Sequence, residues 1–373
     1  MIRLEQITLR EIRLPLREPF RTSFGSVSER RIALLELRDT DGVTAWSEGV
    51  ALDAPNYSAE ALDTAWFAMT EWVAPRVLGR EFAHPRDVYP VLERDFRGNW
   101  MAKAAIEMGM WVLEATRQGI PLATLLGGTR SEVATGISLG IQLSPEALVE
   151  KARAAVAQGY RKVKIKIEPG RDVAYVRAVR EALGPDAPLM ADANNAYLLS
   201  DADRLVELDD LGLLMIEQPL AWDDIVQHAS LQKRLRTPIC LDESITSVEK
   251  ARDMVTLDAG RIINIKPGRV GGFASSLAIH EYCLAQQVPV WCGGMLESGI
   301  GRACNVALAS LPGFTKPGDL SPSARYWARD IVTPEWTMSS DGMVRVPLDR
   351  PGLGVTVDTD FVDTLTVRQV VLR

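Results

Sequence analysis

Six short apolar runs end at nearly constant intervals, and that spacing constrains the fold more than any other feature. VKIK ends at Lys166, PLMAD at Asp192, LLMIE at Glu217, PICLD at Asp242, IINIK at Lys266 and VPVWC at Cys292. Each step is 24–26 residues, which is what a strand, a helix and two loops require. VATGISLGI, before the series, supplies a seventh candidate strand. The runs are rich in β-branched residues and alternate with helical segments, the pattern of parallel βαβ units. A period this regular, without identity between units, predicts an α/β fold. The expected form is a modified TIM barrel, (β/α)7β, rather than an open doubly wound sheet.

The flanks differ. Residues 1–16 and 31–37 alternate at period two and read as strands, the second followed by the turn Asp39-Thr40-Asp41-Gly42. Segment 15–30 reads as a polar, Gly-bearing connection, long enough to be functional. From Ser58 to about Leu126 the pattern is helical, with Ser58 and Glu60 as a helix start. MAKAAIEMGMWVLEA is apolar nearly all round and reads as a buried helix. The expected organisation is an α+β N-terminal capping domain over residues 1–125 and a barrel over 126–320. A strand-like C-terminal segment, 321–373, is expected to pack back on the cap.

Composition removes several function classes. The chain has 373 residues and a net charge of −7, so no affinity for nucleic acid or anionic membrane is expected. No apolar run reaches the roughly 18 residues of a membrane span. The N-terminus has no apolar h-region, and the four cysteines lack CxxC spacing and read as reduced, buried thiols. A cytoplasmic protein is expected. With only three histidines, a His-based metal site and a Ser-His-Asp triad are disfavoured.

The strand ends carry the chemistry. A parallel barrel strand has no water-facing side, so charges are costly except at its ends or in pairs. Barrel active sites lie at the C-terminal strand ends, and five of the six runs end in a charge: Lys166, Asp192, Glu217, Asp242 and Lys266. Three carboxylates on consecutive strands would repel one another without a cation. An all-oxygen donor set suits a hard ion, Mg²⁺ or Mn²⁺. Lys164 and Lys166 share one strand face while Val163, Ile165 and Ile167 take the other, so the lysines face the interior. Their proximity is expected to depress each other's pKa, so that one serves as a base. Lys266 lies across the barrel mouth from Lys166. The arrangement implies a small carboxylate substrate held on the metal. One lysine removes its α-proton and the other returns a proton or supports loss of a β-leaving group.

Six segments then acquire a joint meaning: KIK at 164–166, DANNAY at 192–197, IEQPL at 216–220, LDES at 241–244, NIKPGRVGG at 264–272 and WCGGMLESGIG at 291–301. Together they resemble the muconate-lactonising subgroup of the enolase superfamily, whose sites use Lys or His bases with Mg²⁺. The pattern is most similar to o-succinylbenzoate synthases and N-succinylamino acid racemases. The resemblance implies Mg²⁺ on Asp192, Glu217 and Asp242, with Lys166 and Lys266 as the acid/base pair. It implies Lys164 and Asn194 near the substrate carboxylate, and Ser138, Gly294, Met295 and Glu297 near the substrate side chain. Cap loops near 19–25 and 53–58 are expected to close over the mouth, with Arg21 on an acyl carboxylate. No organic cofactor is expected, and a homo-oligomer is.

Absences narrow the subgroup. A late-strand His, as in mandelate-racemase types, is missing, because His280 falls in a helix and reads as a surface or capping residue. The Asp-x-Asp pair of dipeptide epimerases is reduced to Asp319. The pairs Gly271-Gly272 and Gly293-Gly294 read as close backbone approaches to substrate rather than phosphate cradles. Arg269 faces either substrate or a neighbouring acid. The expected activity is racemisation of N-acylamino acids, N-succinyl ones favoured, and dehydration to o-succinylbenzoate. The alternatives are a muconate-type cycloisomerase and a catalytically silent binding protein on the same fold.

Overall fold

The computed structural model describes residues 1–373. The chain begins with an antiparallel sheet. Strands β1 (Ile2–Thr22), β2 (Gly25–Asp39) and β3 (Thr44–Gly49) form consecutive hairpins. The segment expected to be a connection, 15–30, is strand on both sides of a tight turn at Ser23 and Phe24. Pairing lapses only between Pro15 and Phe20. Pro15 and Pro19 bring no N–H to the ladder, which accounts for an irregularity there rather than a loop.

The helical stretch behind this sheet starts at Leu62, not at Ser58. Glu60 caps a different helix, accepting from Met101 N at 2.9 Å and Ala102 N at 3.1 Å. That helix, α1 (Trp100–Gln118), is buried from Met101 through Leu113, as its composition requires. Gly109 lets it settle on the sheet, since a Cβ there would sit 2.7 Å from Leu37 Cδ1.

The barrel follows as β4 (Ile137–Leu139), α2 (Pro145–Ala157), β5 (Val163–Lys166), α3 (Val173–Leu183), β6 (Leu189–Asp192), α4 (Ala202–Val206) and β7 (Ile216–Glu217). It continues through α5 (Val226–Gln232), β8 (Ile239–Leu241), α6 (Val248–Leu257), β9 (Ile262–Ile265), α7 (Phe273–Ala285), β10 (Val290–Cys292) and α8 (Gly299–Ala309). The seven strands pair in parallel in sequence order. The extended segment 314–318 closes the ring, bridging Val290 on one side and Thr135 on the other. It is the eighth barrel position, and it completes a (β/α)7β arrangement.

The strand period of two sets the interior in layers. Met190, Met215, Cys240, Ile262 and Trp291 form a separate apolar cluster, the barrel floor. Asp192, Glu217 and Asp242 each follow a floor residue by two, so their side chains take the same face one layer higher. The C-terminal strand β11 (Thr366–Leu372) returns to pair antiparallel with β1. All four cysteines are buried and free, and no helix is long and apolar enough to cross a membrane.

Two buried glutamates of the N-terminal part cap barrel helices. Glu48 of β3 accepts from Ser298 N at 3.2 Å, Ser298 Oγ at 2.6 Å and Gly301 N at 2.9 Å, at the start of α8. Glu107 of α1 accepts from Phe273 N at 2.7 Å and Ala274 N at 3.0 Å, at the start of α7. A Cβ on Gly272 would lie 2.1 Å from Glu107 Oε2. The Gly271-Gly272 pair therefore receives an anion that the chain itself supplies, and neither substrate nor phosphate is needed to explain it.

Candidate active site

Lys166 closes β5 and Lys266 follows β9. With eight positions in the ring these strands are four apart, so the two lysines face each other across the barrel mouth. Both line one cavity of about 480 Å³. The lysine expected at mid-strand, Lys164, sits below Lys166 and reaches Asp192 at 3.2 Å, Glu217 at 3.1 Å and Asp319 at 2.6 Å.

The three strand-end carboxylates are buried, and each turns toward a lysine. Lys166 Nζ lies 2.7 Å from Asp192 Oδ2, and Lys266 Nζ lies 2.8 Å from Asp242 Oδ2. Glu217 also accepts from Asn264 Nδ2 at 2.7 Å. Drawn to the lysines, no three of these groups converge on one centre at metal-coordinating spacing. Their chemistry nevertheless suits a hard divalent ion. They are oxygen donors on adjacent strand ends, with Asp192 and Glu217 directly paired in register. Two like-charged carboxylates on neighbouring strand ends are unfavourable unless a cation or proton is shared between them. Burial, and then the Asp192 charge, hold the Glu217 carboxyl well above its ordinary range.

Lys164 is not depressed as the sequence suggested. Burial opposes the Lys164 charge, but Asp319, Glu217 and Asp192 outweigh it and raise its pKa. Burial likewise opposes Lys266, and Asp242 and Tyr57 raise it. The neighbouring acids dominate because they lie in direct contact, 2.6–3.2 Å from Lys164 and 2.8 Å from Lys266. Asp192 is held low by Lys166 and Lys164 against the cost of burial, and Asp242 by Lys266 and Arg269.

Around this centre lie residues the sequence reading left unassigned. Arg269 donates to Asp242 Oδ1, and Tyr57 Oη donates to the same oxygen at 2.9 Å. Arg269 thus faces the neighbouring acid. Asp319 directly follows the segment that closes the barrel. Asn264 stands two residues before Lys266, and the period-two argument that aligned Lys164 with Lys166 also places it inward. Tyr57 lies in the 53–58 loop expected over the mouth, but nothing in the sequence singled out its side chain as a partner of Asp242. Gly293 makes room for the lysine: a Cβ there would lie 2.3 Å from Asn264 Oδ1 and 2.6 Å from Lys266 Cε.

The remaining expected residues divide. Asn194 is inside, accepting from Lys166 Nζ at 2.5 Å. Gly294 and Met295 line the cavity beside Leu296. Ser138 is buried in register with Lys164, its hydroxyl without a partner. Glu297 is not on the cavity wall. Its carboxylate accepts from Met295 N and Asn305 Nδ2, each at 2.8 Å, and pairs with Arg302 at 3.4 Å. Arg21 is also displaced. Phe20, Thr22 and Phe24 line the cavity, so strand alternation turns Arg21 to the other side, where it is exposed. Its backbone oxygen accepts from Ile141 N at 3.0 Å, docking the hairpin on the barrel. His280 is buried and accepts from Gly313 N at 2.9 Å.

Comparison with known proteins agrees with this architecture. Residues 5–127 match the mandelate racemase/muconate lactonizing enzyme N-terminal domain, and residues 147–361 match the enolase C-terminal domain-like family. An o-succinylbenzoate synthase of Geobacillus kaustophilus is 49% identical over 98% of this chain and 96% of its own length. An N-succinylamino acid racemase of Thermus thermophilus is 47% identical over 99% of this chain and 98% of its own. A solved enolase-superfamily structure from Listeria innocua superposes with a TM-score of 0.95 at 40% identity, covering 100% of this chain and 99% of that one.

Proposed function

This chain belongs to the mandelate racemase/muconate lactonizing family of the enolase superfamily, and from that premise we propose that it removes the α-proton of a carboxylate substrate. The substrates are N-succinylamino acids, which it racemises, and the precursor that it dehydrates to o-succinylbenzoate. The observation that carries this reading is the opposed pair Lys166 and Lys266 in one cavity, each paired with a different strand-end carboxylate.

Asp192, Glu217 and Asp242 would hold Mg²⁺ or Mn²⁺, with no organic cofactor. Bound there, the ion supplies positive charge to the substrate carboxylate as negative charge develops on it. Lys164, cationic among three acids, adds to that field from below. In racemisation one lysine starts neutral and takes the proton from one face of the α-carbon. The other starts as an ammonium and returns a proton to the opposite face. In dehydration Lys166 takes the α-proton and passes it to the departing hydroxide, while Lys266 remains a cation. Phe20, Phe24, Val27, Leu52, Met295 and Leu296 give the substrate side chain an apolar wall.

We also take residues 1–125 as the cap, 126–320 as the catalytic barrel and 321–373 as a segment returning to the cap. The working form is a homo-oligomer in the cytoplasm, acting on small molecules. The test is incubation of N-succinyl-L-phenylalanine with the protein and Mg²⁺, followed by polarimetry. Loss of rotation with recovery of the D enantiomer is expected. Stable rotation, together with no dehydration of the o-succinylbenzoate precursor, would refute the reading.

A further inference from the structure

Glu243 follows Asp242 and is buried at the barrel mouth, but nothing above gives it a role. One carboxylate oxygen, Oε1, accepts from Asn194 Nδ2 at 3.2 Å and from Asn195 Nδ2 at 3.3 Å. The other, Oε2, is buried without a partner. Asn194 presents its opposite end to the base, where Lys166 Nζ donates to Oδ1 at 2.5 Å. Both asparagines are in the left-handed backbone region, with φ of 40° and 64°. Two adjacent non-glycine residues hold that conformation only when their surroundings compel it.

An asparagine amide can be turned by 180° with little change in shape, so its partners decide which end points where. Glu243 Oε1 accepts from the amide NH₂ whether the carboxyl is ionised or protonated at its other oxygen, and an ammonium donates only. Glu243 therefore draws the amide NH₂ toward itself, which leaves Oδ1 facing Lys166. Without Glu243 the far end of the amide loses its anchor, and the acceptor that faces Lys166 is no longer fixed in place. Lys266 has no such link. Its hydrogen-bond contact is Asp242, itself held by Arg269 and Tyr57, and no hydrogen bond joins it to Glu243 or to the asparagines.

We propose that Glu243 is a positioning residue for Lys166 alone, acting through the Asn194 amide, and that it serves one of the two proton-transfer faces. This inference rests on the two-lysine reading given above.

The experiment follows α-proton exchange of each N-succinylphenylalanine enantiomer in D₂O by proton NMR, at saturating Mg²⁺, for the intact protein and its variants. Lys166→Ala identifies the enantiomer whose exchange needs Lys166. Glu243→Ala should slow that exchange about tenfold, the loss of one hydrogen bond, and leave the other enantiomer within about twofold. Glu243→Gln keeps an acceptor for Asn194 and should recover most of the rate. Glu243→Asp, which withdraws the oxygen while keeping the charge, should reproduce the one-sided loss and serves if the alanine variant does not fold. Equal slowing of both enantiomers, or no slowing of either, would overturn the proposal. Absence of exchange by the unaltered protein would instead remove the two-lysine reading.

Discussion

The Lys164 ammonium lies 2.6 Å from Oδ2 of Asp319, a contact that ties the second barrel strand to the segment closing the ring. Asp319 also faces Lys162 at 3.3 Å, and Lys162 in turn sits 3.4 Å from the centre of the Trp291 ring on the barrel floor. Asp319 is thus the counter-charge for two buried lysines. Removing one partner of a buried pair leaves an uncompensated charge, at a cost of about 3–5 kcal/mol. Asp319→Asn should lower stability by that order in denaturant titration. An unchanged midpoint would show that Asp192 and Glu217 suffice for Lys164.

Divalent-ion dependence is the second expected outcome. Chelation should abolish activity, and Mg²⁺ or Mn²⁺ should restore it. Asp192→Asn, Glu217→Gln and Asp242→Asn should each lose most of it. Added Mg²⁺ should also raise the melting temperature of the unaltered protein, since an ion that binds only the folded state stabilises it. Full activity in a verified metal-free preparation contradicts this assignment.

The opposed lysines make a stereochemical prediction. Lys166→Ala and Lys266→Ala should each abolish racemisation. Each should still exchange the α-proton of one enantiomer, and the two variants should act on opposite enantiomers. The readout is proton NMR in D₂O. Exchange of both enantiomers by one variant would reveal a different second base.

The capping glutamates predict a pH dependence of stability. Burial, opposed by the hydrogen bonds each accepts and aided at Glu48 by the nearby Glu297 charge, pushes Glu48 and Glu107 up to about 7. A carboxyl whose folded pKa is raised contributes stability at pH values below its unfolded pKa. That contribution is lost as pH climbs through the folded value. Stability should therefore decline between about pH 4.5 and 7 through these two groups. The Glu48→Gln/Glu107→Gln double variant, whose amide oxygens can still accept the capping N–H bonds but which does not titrate, should show a flatter profile across that window. Parallel profiles in thermal melts would exclude these residues as the source.

The hairpin separates two neighbouring residues. Phe24 lines the cavity and Arg21 does not. Phe24→Ala should raise KM for N-succinylamino acids with large apolar side chains. Arg21→Met should leave the ratio of KM for succinyl and acetyl substrates unchanged. A selective loss for succinyl substrates in Arg21→Met would return that residue to the site.

Much of this was legible in the sequence because the signals are local and periodic. A repeat of about 25 residues implies strand–helix units, and a strand period of two implies which side chains share a face. Those two facts place Lys164, Lys166, Asp192, Glu217, Asp242 and Lys266 at one end of one barrel, and the same argument would have reached Asn264. Glu297 and Arg21 were placed by resemblance of segment and by loop length, neither of which determines where a side chain points.

What the sequence by itself determined was therefore the ring of strands and the identity of the charges at its rim. Only the tertiary structure decided their partners. The pairing of Lys164 with Asp319 depends on closure between the first strands and the last segment, and that of Asp242 with Tyr57 on docking of the cap. Glu48 and Glu107 cap helices that lie 250 and 166 residues away along the chain. Such contacts follow from three-dimensional proximity between segments with no shared period. They are settled by where buried donors and acceptors find one another once the core has formed.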